Sequence, residues 1–118
     1  HKHSAYIAGN ADMPGFSKND QARLAALLLG HTGKLGKLAN NSAFNDWRML
    51  FCLRLAQVLS RGRSDIDQAK VNVSESSDTF FVEVPKDWAL SHPLAEFSLN
   101  KEAAEWERIG RKYKIILK

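Results

Sequence analysis

The side chains best able to do chemistry are His1, His3, His31 and His92, with a set of lysines and arginines gathered in the first half. Histidine suits a metal site, but such a site also needs carboxylates or further ligands at workable spacing. The chain has no HExxH and no adjacent His-Asp pair. These histidines read as capping or surface residues, or as phosphate contacts. Lys34 and Lys37 sit in a glycine-rich stretch beside His31. Glycine lets backbone N–H groups approach an anion and lysine adds charge, although the stretch lacks GxxxxGK[ST] and is not a P-loop. A solvated loop is the plain alternative. Arg54 lies inside an apolar helical pattern, either paired with a carboxylate or carbonyl groups or at the edge of an anion site. Arg61 and Arg63 follow that helix, where cations are favoured for local reasons alone. Arg111, Lys112 and Lys114 read as solvent-facing charges around the last strand. Cys52 reads as inert core. Ser4 and Ser17 lack a nucleophile elbow, and no catalytic set assembles.

The charge distribution narrows the choice. Net charge is +4 over 118 residues. Residues 1–64 hold nine Lys/Arg against three Asp/Glu, a net of +6. Residues 65–118 hold eight against ten, a net of −2. An anionic partner is therefore expected on the first half. No run approaches the roughly 18 apolar residues of a membrane span. The single cysteine excludes an internal disulfide and fits a reducing cytoplasm. The chain opens at His1 without an initiator Met or a secretory leader pattern, so it reads either as a fragment of a longer protein or as a trimmed chain.

These residues must be positioned by elements whose pattern changes near residue 64. Before it, the spacing predicts helices. One runs from His3 to Gly9. After a Pro14-Gly15 turn, a second is capped by Ser17, carries Asp20 in its first turn, and presents Leu24, Leu27, Leu28 and His31 on one face. Residues 30–42 read as a loop. Phe44 to Ser60 is the strongest helix, apolar almost all round and expected to be central and buried. After residue 64, Lys70–Ser74 and Thr79–Val84 alternate as a β-hairpin around the turn 75–78. A short helical turn at Asp87-Trp88, a helix from Leu94 or Leu99 to Ile109, and a strand from Tyr113 to Leu117 follow. The fold class is α+β, with domains at 1–64 and 65–118, the second in the order ββαβ.

Several strings in this order resemble a known family. They are His1-Lys2-His3-Ser4-Ala5-Tyr6-Ile7, Asp12-Met13-Pro14-Gly15-Phe16-Ser17, the helix ending in His31, and Leu53-Arg54-Leu55-Ala56 with Arg61 and Arg63. Trp88, His92-Pro93-Leu94 and Glu102 to Trp106 complete the set. Together they are similar to the C-terminal region of the exopolyphosphatase/guanosine pentaphosphate phosphatase family, across essentially the whole chain. The resemblance implies the later half of an HD-like helical domain, then a small α+β domain. It implies a parent hydrolase whose actin-like catalytic domains, with their glycine-rich phosphate loops and Mg²⁺-binding carboxylates, are absent from this chain. No cofactor is expected in the chain itself, and Mg²⁺ is implied for the parent enzyme.

The resemblance implies polyphosphate or guanosine pentaphosphate as the parent's substrate, a homodimer, and a basic channel for the polyanion. The phosphate contacts expected are His1, Lys2, His3, His31, Lys34 and Lys37, with Arg54, Arg61 and Arg63 next. Membrane and nucleic acid are not expected partners. Two other readings stay open. One is a remnant of a metal-dependent HD-like phosphohydrolase, with His3 and His31 as later ligands of a site whose His-Asp pair would lie upstream. The other is an interaction module whose basic charge is incidental. Apolar surface left uncovered on the Leu24/Leu27/Leu28 face or the central helix predicts self-association.

Overall fold

Ser17 starts the best-defined helix because its hydroxyl accepts from the Asp20 amide at 3.0 Å while the Asp20 carboxylate accepts from the Ser17 amide at 3.4 Å. That reciprocal capping box satisfies two amide donors that the helix cannot. The computed structural model describes residues 2–12, 14–39, 44–61 and 71–118. Its elements are α1 (Lys2–Asn10), α2 (Lys18–Gly30), α3 (Gly36–Ala39), α4 (Trp47–Arg61), β1 (Asn72–Ser76), β2 (Thr79–Val84), α5 (Lys86–Ser91), α6 (Pro93–Arg108) and β3 (Lys112–Leu117). The fold is α+β. The chain divides into two compact units, His1–Arg54 and Leu55–Lys118, the division falling within α4.

In the first unit α1 and α2 pack as a helical hairpin. A Cβ placed on Gly9 would stand 3.4 Å from the Ala25 Cβ. Gln21 donates to the Ala11 carbonyl at 2.6 Å and ties the end of α1 to the start of α2. Leu24, Leu27 and Leu28 are half-buried, and the buried residues of α2 are Ala26 and Gly30. The expected leucine face is thus displaced toward small residues, which let neighbouring elements come closest. Residues 30–42, expected to be a loop, contain the α3 turn, and residues 40–43 lie outside the described residues. Leu35 and Leu38 are fully buried there. Burying two leucines outweighs the poor helix propensity of the flanking glycines.

The helix expected from Phe44 begins at Trp47, with Phe44 buried edge-on against it at 4.7 Å between ring centroids. Leu50, Phe51, Arg54, Leu55 and Val58 are its buried stripe. Met49, Cys52, Leu53 and Ala56 are exposed. The helix is therefore one-sided rather than buried all round, and Cys52 is a surface thiol rather than core.

In the second unit β2 is the central strand. It pairs antiparallel with β1, in the register Val73↔Val82, and parallel with β3, in the register Val82↔Ile115. The hairpin turn is the two residues Ser77-Asp78, so β1 runs two residues further than expected. The parallel pairing requires a crossover, which α5 and α6 provide. Phe80, Val82 and Val84 are the buried face of β2, as the alternation predicts. Trp106 of α6 is fully buried, meets Phe80 at 5.4 Å edge-on, and donates through Nε1 to the buried Glu102 carboxylate at 3.1 Å. Pro93 opens α6, where its missing N–H costs nothing.

Candidate functional site: the basic end of α2

The end of α2 brings together four of the residues that the sequence singles out: His31, Lys34, Lys37 and Arg54. Gly30, the last residue of the helix, is closely packed against two leucine side chains. A Cβ there would fall 2.4 Å from Leu38 Cδ1 and 3.3 Å from Leu50 Cδ2. Two carbonyls in the last turn of α2 and one just beyond it are met by side chains. The buried Arg54 donates through Nη1 to the Gly30 carbonyl at 2.8 Å. His31 donates through Nδ1 to the Leu28 carbonyl at 2.7 Å, which fixes the proton on that nitrogen. Lys37 donates to the Thr32 carbonyl at 3.1 Å. Gly33 between them has φ +76°, and its bare Cα leaves room for the lysine, whose Nζ would lie 3.2 Å from a Cβ. Positive groups at a helix C-terminus are favoured, since that end carries partial negative charge.

This geometry separates the lysines by role. Lys37 is half-buried and holds the loop together, whereas Lys34 is exposed. Arg54 is buried and tied to the Gly30 carbonyl, so its part at this end of α2 is structural. His3 is exposed on α1. From the Gly9–Ala25 contact, His3 and His31 each lie six residues further along the hairpin, toward the same end. Lys2 and Arg61 close the ends of α1 and α4, and their side chains are not described. His1 and Arg63 lie outside the described residues. Among the described residues, no group of three or more His, Cys, Asp or Glu is placed to hold a metal ion. No described helix is long and apolar enough to cross a membrane. In the second unit His92 donates through Nδ1 to the Trp88 carbonyl at 2.9 Å and stacks on that indole at 5.1 Å.

Sequence reasoning did not find the Arg23–Asp46 pair. Arg23 Nε and Nη2 donate to the two Asp46 oxygens at 2.7 and 2.9 Å. The hydrogen bond and charge of Arg23 hold the Asp46 carboxyl below its usual range, and Asp46 raises the guanidinium in turn. The pair borders an open cavity of about 290 Å³ whose apolar side is Ala22, Ala26 and Phe44. Twenty-three residues separate the partners, and no local spacing signals such a contact.

Comparison with known proteins assigns the family. The family model described as Ppx/GppA phosphatase, domain III, matches residues 1–103. A guanosine-5′-triphosphate,3′-diphosphate pyrophosphatase of Pseudoalteromonas translucida is 31% identical over 117 residues, covering 95% of this chain and 23% of the relative. A protein of the same name from Aliivibrio fischeri is 32% identical over 113 residues, covering 92% of this chain and 22% of the relative. The chain thus spans less than a quarter of the length of these curated relatives. With the match running from α1 into α6, the chain belongs to the Ppx/GppA phosphatase family and corresponds to its domain III.

Proposed function

We propose that this chain is a non-catalytic module of a phosphohydrolase acting on polyphosphate or guanosine pentaphosphate. Its role is to bind and guide the polyanion. The observation that carries the reading is the charge split, with +6 on residues 1–64 against −2 on the remainder. Within that half, the end of α2 offers the exposed Lys34 beside the ordered His31–Lys37 turn. His1, Lys2, His3, His31, Lys34 and Lys37 are the proposed contacts, with Arg61 and Arg63 next. Arg54 supports them from below through the Gly30 carbonyl. The helical portion is read as the later half of an HD-like domain. The parent reaction is attack of water on a terminal phosphoryl group with Mg²⁺ assistance, performed by parts of the protein outside this chain. The setting is cytoplasmic.

The test is titration of the chain with long-chain polyphosphate at low salt, comparing wild type with Lys34→Ala/Lys37→Ala. A clear loss of affinity in the double variant supports the reading, and undiminished binding contradicts it. Homodimer formation is the second proposed role. Met49 and Leu53 on α4 are 53% and 40% exposed, an apolar row open to a second copy. Sedimentation equilibrium checks it: a dimer that Met49→Lys/Leu53→Lys dissociates is expected, and a monomer at all concentrations contradicts it.

A further inference from the structure

The sheet of the second unit has two unlike faces. Phe80, Val82, Val84 and Tyr113 are buried on the side that meets Trp106 of α6. Strand alternation puts the other residues on the opposite side. There the register sets Ser74, Phe81 and Lys114 in one row across the three strands, and Thr79 with Lys112 in the next. Phe81 is half-buried, while Lys112, Lys114 and Ser74 are exposed. Neither lysine has an ion-pair partner among the described residues. Glu83, the one acid on this face of the described strands, is engaged by Lys118 at 3.0 Å. Two uncompensated cations thus flank one aromatic ring, in the half of the chain whose net charge is −2.

We propose that this open face is a nucleotide-binding surface distinct from the basic end of α2. A planar base stacks on Phe81, and the phosphates lie along Lys114 and Lys112. The two lysines are separated by about 6.6 Å along the strand, two residues of extended chain, and Lys114 lies about 4.8 Å across from Phe81. An aromatic ring on a sheet with cations beside it fits the flat face and negative tail of one molecule, and neither feature alone does so. The charge favours a ligand with an anionic tail over an uncharged aromatic, and the ring favours a nucleotide over inorganic polyphosphate. The occupant is a free nucleoside polyphosphate. The serine and threonine hydroxyls around the ring supply hydrogen bonds without a code for one base.

The test uses the 118-residue chain, isotopically labelled, titrated with GTP and separately with tripolyphosphate. GTP is expected to move the amide signals of Phe81, Lys112 and Lys114 saturably. Tripolyphosphate should leave Phe81 unmoved and act on residues 1–64 if the basic end of α2 binds polyanions. The two sites therefore succeed or fail separately. Phe81→Leu, which keeps an apolar side chain in the sheet, should weaken GTP binding about tenfold. Lys112→Ala/Lys114→Ala, at exposed positions that leave the fold intact, should weaken it at least as much and flatten its salt dependence. GTP that leaves these three amides unmoved overturns the proposal. So does affinity equal to wild type in the lysine double variant, or equal affinity for GTP and tripolyphosphate at this face.

Discussion

Arg54 is the residue where structure and chemistry meet most directly. The residue is 5% exposed, and its guanidinium answers a carbonyl that α2 cannot satisfy. Arg54→Ala leaves the Gly30 carbonyl buried without that donor and opens a void beneath the loop. A loss of about 2 kcal/mol is expected in chemical denaturation, and a change within about 0.5 kcal/mol would contradict the assigned contact. Lys34→Ala should do the reverse, leaving stability unchanged while weakening polyphosphate binding, because the side chain is exposed. Asp46 makes a prediction in pH. Its folded carboxyl titrates below the unfolded value of about 3.9 because Arg23 hydrogen-bonds the charged form. The stability it contributes is present above that value and is lost as pH falls through the lower, folded value. The difference in melting temperature between wild type and Arg23→Gln should therefore hold at neutral pH, begin to shrink as pH falls below about 3.9, and vanish only below the lower, folded value. A difference that persists unchanged at pH 2 would show that the ion pair is not its source.

At the scale of elements, much was legible from local pattern. The Ser17–Asp20 capping box, the Phe80/Val82/Val84 face and the ββαβ order all follow from spacing and turn chemistry within a dozen residues. The misses involve partners distant in sequence. Nothing near Leu35 and Leu38 says that they are buried, because the neighbours that bury them come from other helices, so the stretch reads as loop. Cys52 reads as core because its neighbours are apolar, yet α4 buries only one stripe. The end of α2 was legible in its residue types but not in its division of labour. Lys34 and Lys37 are equivalent in sequence, and the Thr32 carbonyl that Lys37 engages sets them apart. The hairpin supplies a further prediction. Ser77 adopts φ +53°, a conformation that costs an L-residue about 1 kcal/mol and costs glycine little. Ser77→Gly should raise the melting temperature by a few degrees, and an unchanged or lower value would contradict the turn geometry.

For the whole molecule, the charge split is the basis of the proposed polyanion-guiding role. A long polyanion needs many weak contacts spread along a path, and each exposed cation contributes little by itself. Arg54, His31 and Lys37 hydrogen-bond to carbonyls around the end of α2 while Lys34 is exposed, so in the proposed role part of the positive charge orders the turn and part is left for the polyanion. Such binding releases counterions from the polyanion and should weaken steeply as salt rises, by the same physics that governs DNA binding. The most direct measurement is therefore the affinity of this chain for long-chain polyphosphate across a salt series from about 50 to 200 mM. The account predicts a linear fall of log affinity with log salt, and a shallower slope once Lys34 and Lys37 are alanine. Affinity that is negligible even at the lowest salt, or that is independent of salt, would contradict it.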